Sequence, residues 1–198
     1  MIKNISPLEW LSELSATLNA AEYRVSGKNV PAAMAMEEIQ ALLKKLRNRK
    51  GSLYWVGNGG SLAVCSHLAQ DVLNKLKIRS IPLSDASMLT CMANDFGYAN
   101  VFKKPLEILF TPGDMLIGIS SSGNSESIVS AARLCLEKGG NLIALSAFSP
   151  DNSLRAVKAD VSVYLPTTLY GLAEVGHEAV MHAAIESLCL AEMNTKVT

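Results

Sequence analysis

The hydrophobic positions of this 198-residue chain follow two different rhythms. Over the first quarter they recur at helical spacing. Ser6 followed by Pro7 reads as a helix start, and Leu8, Trp10, Leu11, Leu14, Thr17, Leu18 and Ala21 continue one stripe. A second stripe, Met34, Met36, Ile39, Leu42, Leu43 and Leu46, predicts a helix from near Pro31 to about Leu46. These two helices are expected to precede any strand and to form a pair, about 6–48, that packs on another subunit or covers a sheet edge. From residue 53 the pattern changes to short apolar runs: Leu53 to Val56, Ile78 to Leu83, Met115 to Ile119, Leu142 to Leu145 and Val161 to Leu165. Helical segments near 61–76, 98–109, 125–138 and 152–158 separate them, and a last helix follows near 172–193. Strands alternating with helices indicate a parallel sheet covered on both faces. The expectation is one α/β domain over 1–198, three-layered and doubly wound in the flavodoxin-like manner. It has a five-stranded parallel sheet, a core about 52–170, two N-terminal helices and a C-terminal helix about 172–194.

Composition narrows the partners. A 49% hydrophobic and 18% charged chain suits one compact globule. Eighteen basic side chains balance eighteen acidic ones, so the overall charge recruits neither nucleic acid nor a membrane surface. No secretory leader or spanning stretch is read, and a cytoplasmic protein is expected. Cys65, Cys91, Cys135 and Cys189 lie far apart among apolar neighbours, without the spacing of a zinc ribbon or redox pair, and are read as small buried hydrophobes.

Candidate chemistry concentrates where strands end. In open parallel sheets ligands collect beyond the carboxyl ends of the strands. Gly57-Asn58-Gly59-Gly60-Ser61 and the run Ser120 to Ser125 both fall there. The second lies between a buried strand and a helix start, so its hydroxyls and the unpaired N–H groups of that helix could cradle a phosphate. The alternative is an ordinary Ser-rich turn with Ser125 as N-cap. On the last helix Glu174, Glu178 and His182 recur every four residues, and His67 and Asp71 share one face of an earlier helix.

These motifs, taken in order, resemble the sugar isomerase (SIS) domain family and, within it, the phosphoheptose isomerases. They are Gly57 to Ser61, His67, Asn94-Asp95-Phe96-Gly97, Gly118 to Ser125, and Glu174 with His177 and His182. The resemblance implies a five-stranded parallel α/β fold, a homotetramer and active sites assembled between subunits. It implies an aldose–ketose isomerase that interconverts sedoheptulose 7-phosphate and D-glycero-D-manno-heptose 7-phosphate through an ene-diol, toward lipopolysaccharide heptose. By matching positions, Ser120, Ser121, Ser122 and Ser125 would hold the phosphate. Asn58, Gly59, Ser61, Asp95 and Glu174 would contact the sugar, while Asp71 and His182 would act as base and acid. Some family members carry zinc, for which His67, Asp71, Glu174 and His182 are the matching set, one ion per site, with no nucleotide cofactor.

The chain departs from the family pattern in places. Asp71 stands for a glutamate, Glu174 for a glutamine, and Val64 and Gly171 for aspartates. The shorter carboxylate of Asp71 costs about 1.5 Å of reach, and misplacement of about 1 Å can cost roughly a hundredfold in rate. A satisfied interior histidine is the competing reading for both His67 and His182, and His177 and Glu178 are read as solvated or as subunit contacts. A non-catalytic SIS module that binds a sugar phosphate or a replication-initiator protein is the alternative function.

Overall fold

The computed structural model describes residues 5–194. Helix α1 (Pro7–Asn19) opens on a reciprocal cap, in which the Ser6 hydroxyl accepts from the Glu9 N–H and the Glu9 carboxylate accepts from the Ser6 N–H at 2.8 Å. Strands β1 (Glu22–Val25) and β2 (Lys28–Val30) follow as a tight hairpin, turned by Ser26 and Gly27 at φ of 49° and 79°. Then come α2 (Ala32–Asn48), β3 (Ser52–Gly57) and α3 (Gly60–Asp71), which widens directly after Asp71 into a π-helical turn, Val72–Leu76. Beyond it are β4 (Arg79–Pro82), α4 (Ala86–Phe96) and α5 (Lys103–Leu109). The rest comprises β5 (Met115–Ser120), α6 (Glu126–Glu137), β6 (Asn141–Ala147), α7 (Ser153–Ala156), β7 (Val161–Leu165) and the long α8 (Tyr170–Asn194).

The strand order is β2-β1-β7-β6-β5-β3-β4. The five apolar runs form the parallel part, β7 to β4, as expected. The sheet itself is seven-stranded and mixed, because the hairpin adds antiparallel to β7 with Tyr23 opposite Val163. This corrects the five-stranded expectation, and it also means that the two N-terminal helices do not both precede every strand. The hairpin strands are four and three residues long and largely polar, so they carry no apolar run. Only Ser26-Gly27 marked them in the sequence. Helix α4 was likewise not expected. It is capped by Asp85, whose carboxylate accepts from the Met88 N–H, and it packs Met88, Leu89 and Met92 against the core on that face of the molecule.

Side chains alternate along each central strand, yet both faces are apolar, as a doubly covered sheet requires. Leu53, Trp55, Met115, Ile117, Ile143 and Leu145 face the layer of α2, α3 and α8. Tyr54, Val56, Leu116, Leu142 and Ala144 face α5, α6 and α7. Full burial of each such leucine or isoleucine is worth roughly 1.5–3 kcal/mol, so these two cores hold the strand ends in place. Both α1 and α2 lie against α8. Leu8 and Leu11 on α1 remain open to solvent in the single chain. Among the described residues no helix is long and apolar enough to cross a membrane.

Candidate active site

The loop leaving β3 is fixed by two constraints. At Gly57 a β-carbon would overlap the backbone of Ser61, and Gly59 takes a φ of +56° to start α3. Asn58 is held from both sides: its amide donates to the Ser127 hydroxyl at 3.1 Å and its carbonyl oxygen accepts from the Tyr98 hydroxyl at 2.8 Å. The first loop is thereby tied to α6 and to the turn after α4. Ser61 is buried in the first turn of α3. Asp95 sits exposed on α4, where Asn94 donates to its carboxylate at 2.9 Å.

In the serine loop, the Ser120 hydroxyl accepts from the Gly123 N–H at 3.1 Å and lies 3.3 Å from the Ser125 hydroxyl. The Ser122 hydroxyl accepts from the Asn124 N–H at 3.2 Å. Gly123 has φ +66°, and a β-carbon there would collide with the buried Asn152. Asn124 in turn accepts from both the N–H and the hydroxyl of Ser153 at 2.9 Å, pinning the loop to α7. Two details separate the readings of this segment. Ser125 occupies the N-cap position of α6, but its side chain makes no capping hydrogen bond. The Ser121 hydroxyl is buried and has no partner at all. An ordinary cap would use the first hydroxyl, and an unpaired buried group of the second kind costs about 1–3 kcal/mol. Both features suit an anion held against the start of α6.

A second group assembles on the seam between α3 and α8, from residues more than a hundred positions apart. His67 and His182 approach through their Nε2 atoms at 3.2 Å. Glu178 Oε1 lies 3.7 Å from the first and 3.9 Å from the second. On the other side of its ring, His182 Nδ1 is 3.5 Å from Asp71 Oδ2 and 4.0 Å from a Glu186 oxygen. Asp71 is buried, and its two oxygens accept from the Gln70 amide at 2.6 Å and the Lys75 ammonium at 2.8 Å. Lys75 also binds Glu186 at 2.8 Å. Its hydrogen bonds to Asp71 and then Glu186 raise its pKa, and Lys75 in turn lowers that of Glu186.

The structure therefore brings His67, Asp71 and His182 together, whereas Glu174 lies elsewhere. Its carboxylate rests on Gly60 at the start of α3, where any β-carbon would collide with it. Among the described residues, the sets with donor atoms close enough to share a metal ion are His67, Glu178 and His182, and Asp71, His182 and Glu186. Glu174 belongs to neither, so the four-residue ligand set His67, Asp71, Glu174, His182 is not assembled. Two imidazole nitrogens 3.2 Å apart are close to the roughly 3.3 Å edge of a tetrahedron with 2.0–2.1 Å zinc–nitrogen bonds, so a divalent cation fits between these rings.

Two expectations need correction. Glu178 is not merely solvated but faces both imidazoles, and its four-residue spacing between Glu174 and His182 was the available signal. His177 is fully buried, not a solvated or contact residue. Its Nε2 lies 3.1 Å from the Ser146 carbonyl oxygen, which can only accept, so Nε2 carries the proton. Burial pushes its pKa down to about 4. Nothing in the apolar spacing of α8 distinguished an inward histidine from an outward one.

The α/β sheet carries a glycine loop and a serine loop at the ends of adjacent strands, and residues 20–147 match the SIS domain family. The chain belongs to that family and, within it, to the phosphoheptose isomerase group. It is 31% identical to the phosphoheptose isomerase of Pelobacter propionicus, over 82% of this chain and 87% of that one. It is 36% identical to the phosphoheptose isomerase of Maridesulfovibrio salexigens, over 66% of this chain and 65% of the relative's length. The fold is similar to that of phosphoheptose isomerase GmhA from Neisseria gonorrhoeae, with a TM-score of 0.76 at 24% identity, over 90% of this chain and 94% of that one.

Proposed function

We propose that this protein is a phosphoheptose isomerase, interconverting sedoheptulose 7-phosphate and D-glycero-D-manno-heptose 7-phosphate through an ene-diol. In this reading it works in the cytoplasm as a homotetramer and supplies a precursor of lipopolysaccharide heptose. The observation that carries the reading is the arrangement along α3. The first turn of this helix, at Ser61, leaves the glycine loop that is tied to α6 through Asn58 and Ser127. His67 then lies about 9 Å farther along the axis, and Asp71 about 15 Å. The glycine-loop end of α3, tied to the helix that follows the serine loop, and its histidine end thereby offer separate anchors for the phosphate end and the reacting end of one linear sugar.

The serine loop would hold the phosphate with the Ser121 and Ser125 hydroxyls and the N–H groups that start α6. Asn58, Gly59 and Ser61 would line the sugar from the glycine loop, with Asp95 and Glu174 as further hydroxyl partners. Proton transfer between adjacent carbons needs a base that removes a proton beside the carbonyl and returns it next door, with an acid for the oxygens. Asp71 and His182 supply these as one unit. Asp71 Oδ2 faces His182 Nδ1 at 3.5 Å, which favours a proton on Nδ1 and leaves Nε2, which faces His67 Nε2 at 3.2 Å, as the nitrogen that exchanges one. A zinc ion, when held by His67 and His182, would take the place of the proton on His182 Nε2 as the electrophile for a substrate oxygen.

The test is turnover of sedoheptulose 7-phosphate to the aldose by purified protein, followed by NMR. Asp71→Asn and His182→Ala are expected to abolish it while the circular-dichroism spectrum and oligomeric state persist. No turnover with any heptose or related sugar phosphate would overturn the reading. Binding without turnover would instead support the non-catalytic module.

A further inference from the structure

We propose that the cleft at the amino-terminal ends of β3 and β4 binds a diphosphate-bearing anion, at a site separate from the serine loop. The cleft has a volume of about 310 Å³ and is lined by Arg47, Lys50, Gly51, Lys77, Ile78 and Arg79. Four of these six residues are cationic, in a chain whose formal charge is zero. Arg79 pairs with Ser52, where both strands begin. The glycine loop leaves the opposite end of the six-residue β3, about 17 Å away at the rise of a strand. A small anion in this cleft therefore does not reach the sugar-phosphate site.

The cations divide into two pairs. Both arginines have partners: Arg47 binds Glu192 and reaches the Leu76 carbonyl oxygen at 3.4 Å, while Arg79 donates to the Lys50 carbonyl oxygen. Among the described residues, neither the Lys50 nor the Lys77 ammonium makes a hydrogen bond or an ion pair. Glu192 offsets Arg47, but Arg79 meets a neutral carbonyl, so three of the four charges stay uncompensated among the described residues. Both lysines also take a left-handed backbone just past a helix end, Lys50 after α2 at φ +57° and Lys77 after the π-helical turn at φ +56°. Glycine is the usual residue there, because a β-carbon crowds the neighbouring carbonyl. Attraction to the helix dipole does not account for the choice, since Lys45 and Arg47 already fill the last turn of α2, and Lys75 that of the π-helical turn. What the two lysines add is a pair of free ammoniums in one cleft. A single phosphate brings a charge of roughly −1.5 to −2. Two linked phosphates bring more charge against the three cations, and each can engage one lysine while Arg79 presents its planar fork.

Full-length protein is titrated with pyrophosphate, ADP and inorganic phosphate by calorimetry at low salt, where exposed charges are least screened. Lys50→Gly and Lys77→Gly should each weaken pyrophosphate binding about tenfold, and together about a hundredfold. Their thermal midpoints should equal or exceed the parent's, because glycine relieves the left-handed backbone. Lys50→Asn and Lys77→Asn, which also suit that conformation, are second variants expected to show the same loss. Binding that disappears in Lys50→Gly/Lys77→Gly is binding at this cleft. Ser121→Ala, in the serine loop, should leave that binding within about twofold, and inorganic phosphate should occupy the cleft at least about tenfold more weakly than pyrophosphate. ADP as tight as pyrophosphate identifies a nucleoside diphosphate as the source of the group, and ADP at least about tenfold weaker identifies free pyrophosphate. The proposal is overturned if Lys50→Gly/Lys77→Gly binds pyrophosphate as the parent does, or if Lys28→Gln, which removes an exposed charge on the hairpin, costs as much. Equal binding of inorganic phosphate and pyrophosphate at the cleft would overturn it too, as would a folded parent that binds none of the three. Sugar turnover enters none of these readings.

Discussion

The serine loop and the α3–α8 seam are built in opposite ways. The loop is local: eight residues from Ser120 to Ser127, fixed by Gly123, by Asn152 beneath it and by the end of β5. The seam is long-range and half open, and its geometry exists only because two helices pack at one spacing. A group that must recognise a phosphate needs fixed donors, which a strand–turn–helix junction provides at little entropic cost. Proton transfer needs titratable groups with adjustable partners, and those come together only through tertiary contact.

The largest expected effect breaks this comparison at the seam. His182→Ala should lower kcat for the sugar phosphate by about a thousandfold, within the 10²–10⁴ range of acid–base catalysis, with KM changed less than about threefold. Steady-state kinetics decide it, and a loss confined to KM would assign the histidine to binding.

Next, Gly123→Ala should break the loop. It forces a side chain into a left-handed backbone and into Asn152, which is itself bound to Ser146 and Ser149. A loss of about 3 kcal/mol of unfolding free energy is expected in urea titrations, together with weaker binding of inorganic phosphate.

The third prediction concerns His177, which links α8 to the end of β6. Its pKa falls from 6.5 to about 4 on folding, so between these values the unfolded chain binds a proton that the folded chain refuses. Stability should therefore be fully present above pH 6.5 and fall as pH drops toward 4, by about 3 kcal/mol in total. His177→Gln should flatten that dependence in denaturant titrations across the window. An unchanged slope would assign it to the carboxylates.

The smallest effect is the most selective. Ser121→Ala removes a buried hydroxyl that has no partner, so the free protein should be equally stable or gain up to about 1 kcal/mol. Affinity for the sugar phosphate should nonetheless fall about tenfold, or about 1.4 kcal/mol. Unchanged affinity, measured by calorimetry, would mean that this hydroxyl does not meet the ligand.

The apolar runs and their alternation with helices were enough to locate all five parallel strands, and the order of small-residue motifs was enough to place the chain in its family. That much is encoded locally, because strand burial and tight turns impose their own residue types. The hairpin Glu22 to Val30 left almost no trace, since its short strands are held by pairing with β7 rather than by an apolar face of their own. Position along the chain likewise marked His67, Asp71, Glu174 and His182 as one set, but tertiary packing rearranged it. Asp71 is drawn to Lys75, Glu174 to the first turn of α3, and Glu178 to the two imidazoles. Residues on one helix are spaced by the helix itself, whereas which carboxylate meets a histidine across a seam depends on how two helices are seated on the sheet. The sequence therefore determined the family and the place of the serine loop between strand and helix; only the packing of α8 on α3 decided which acids face the histidines.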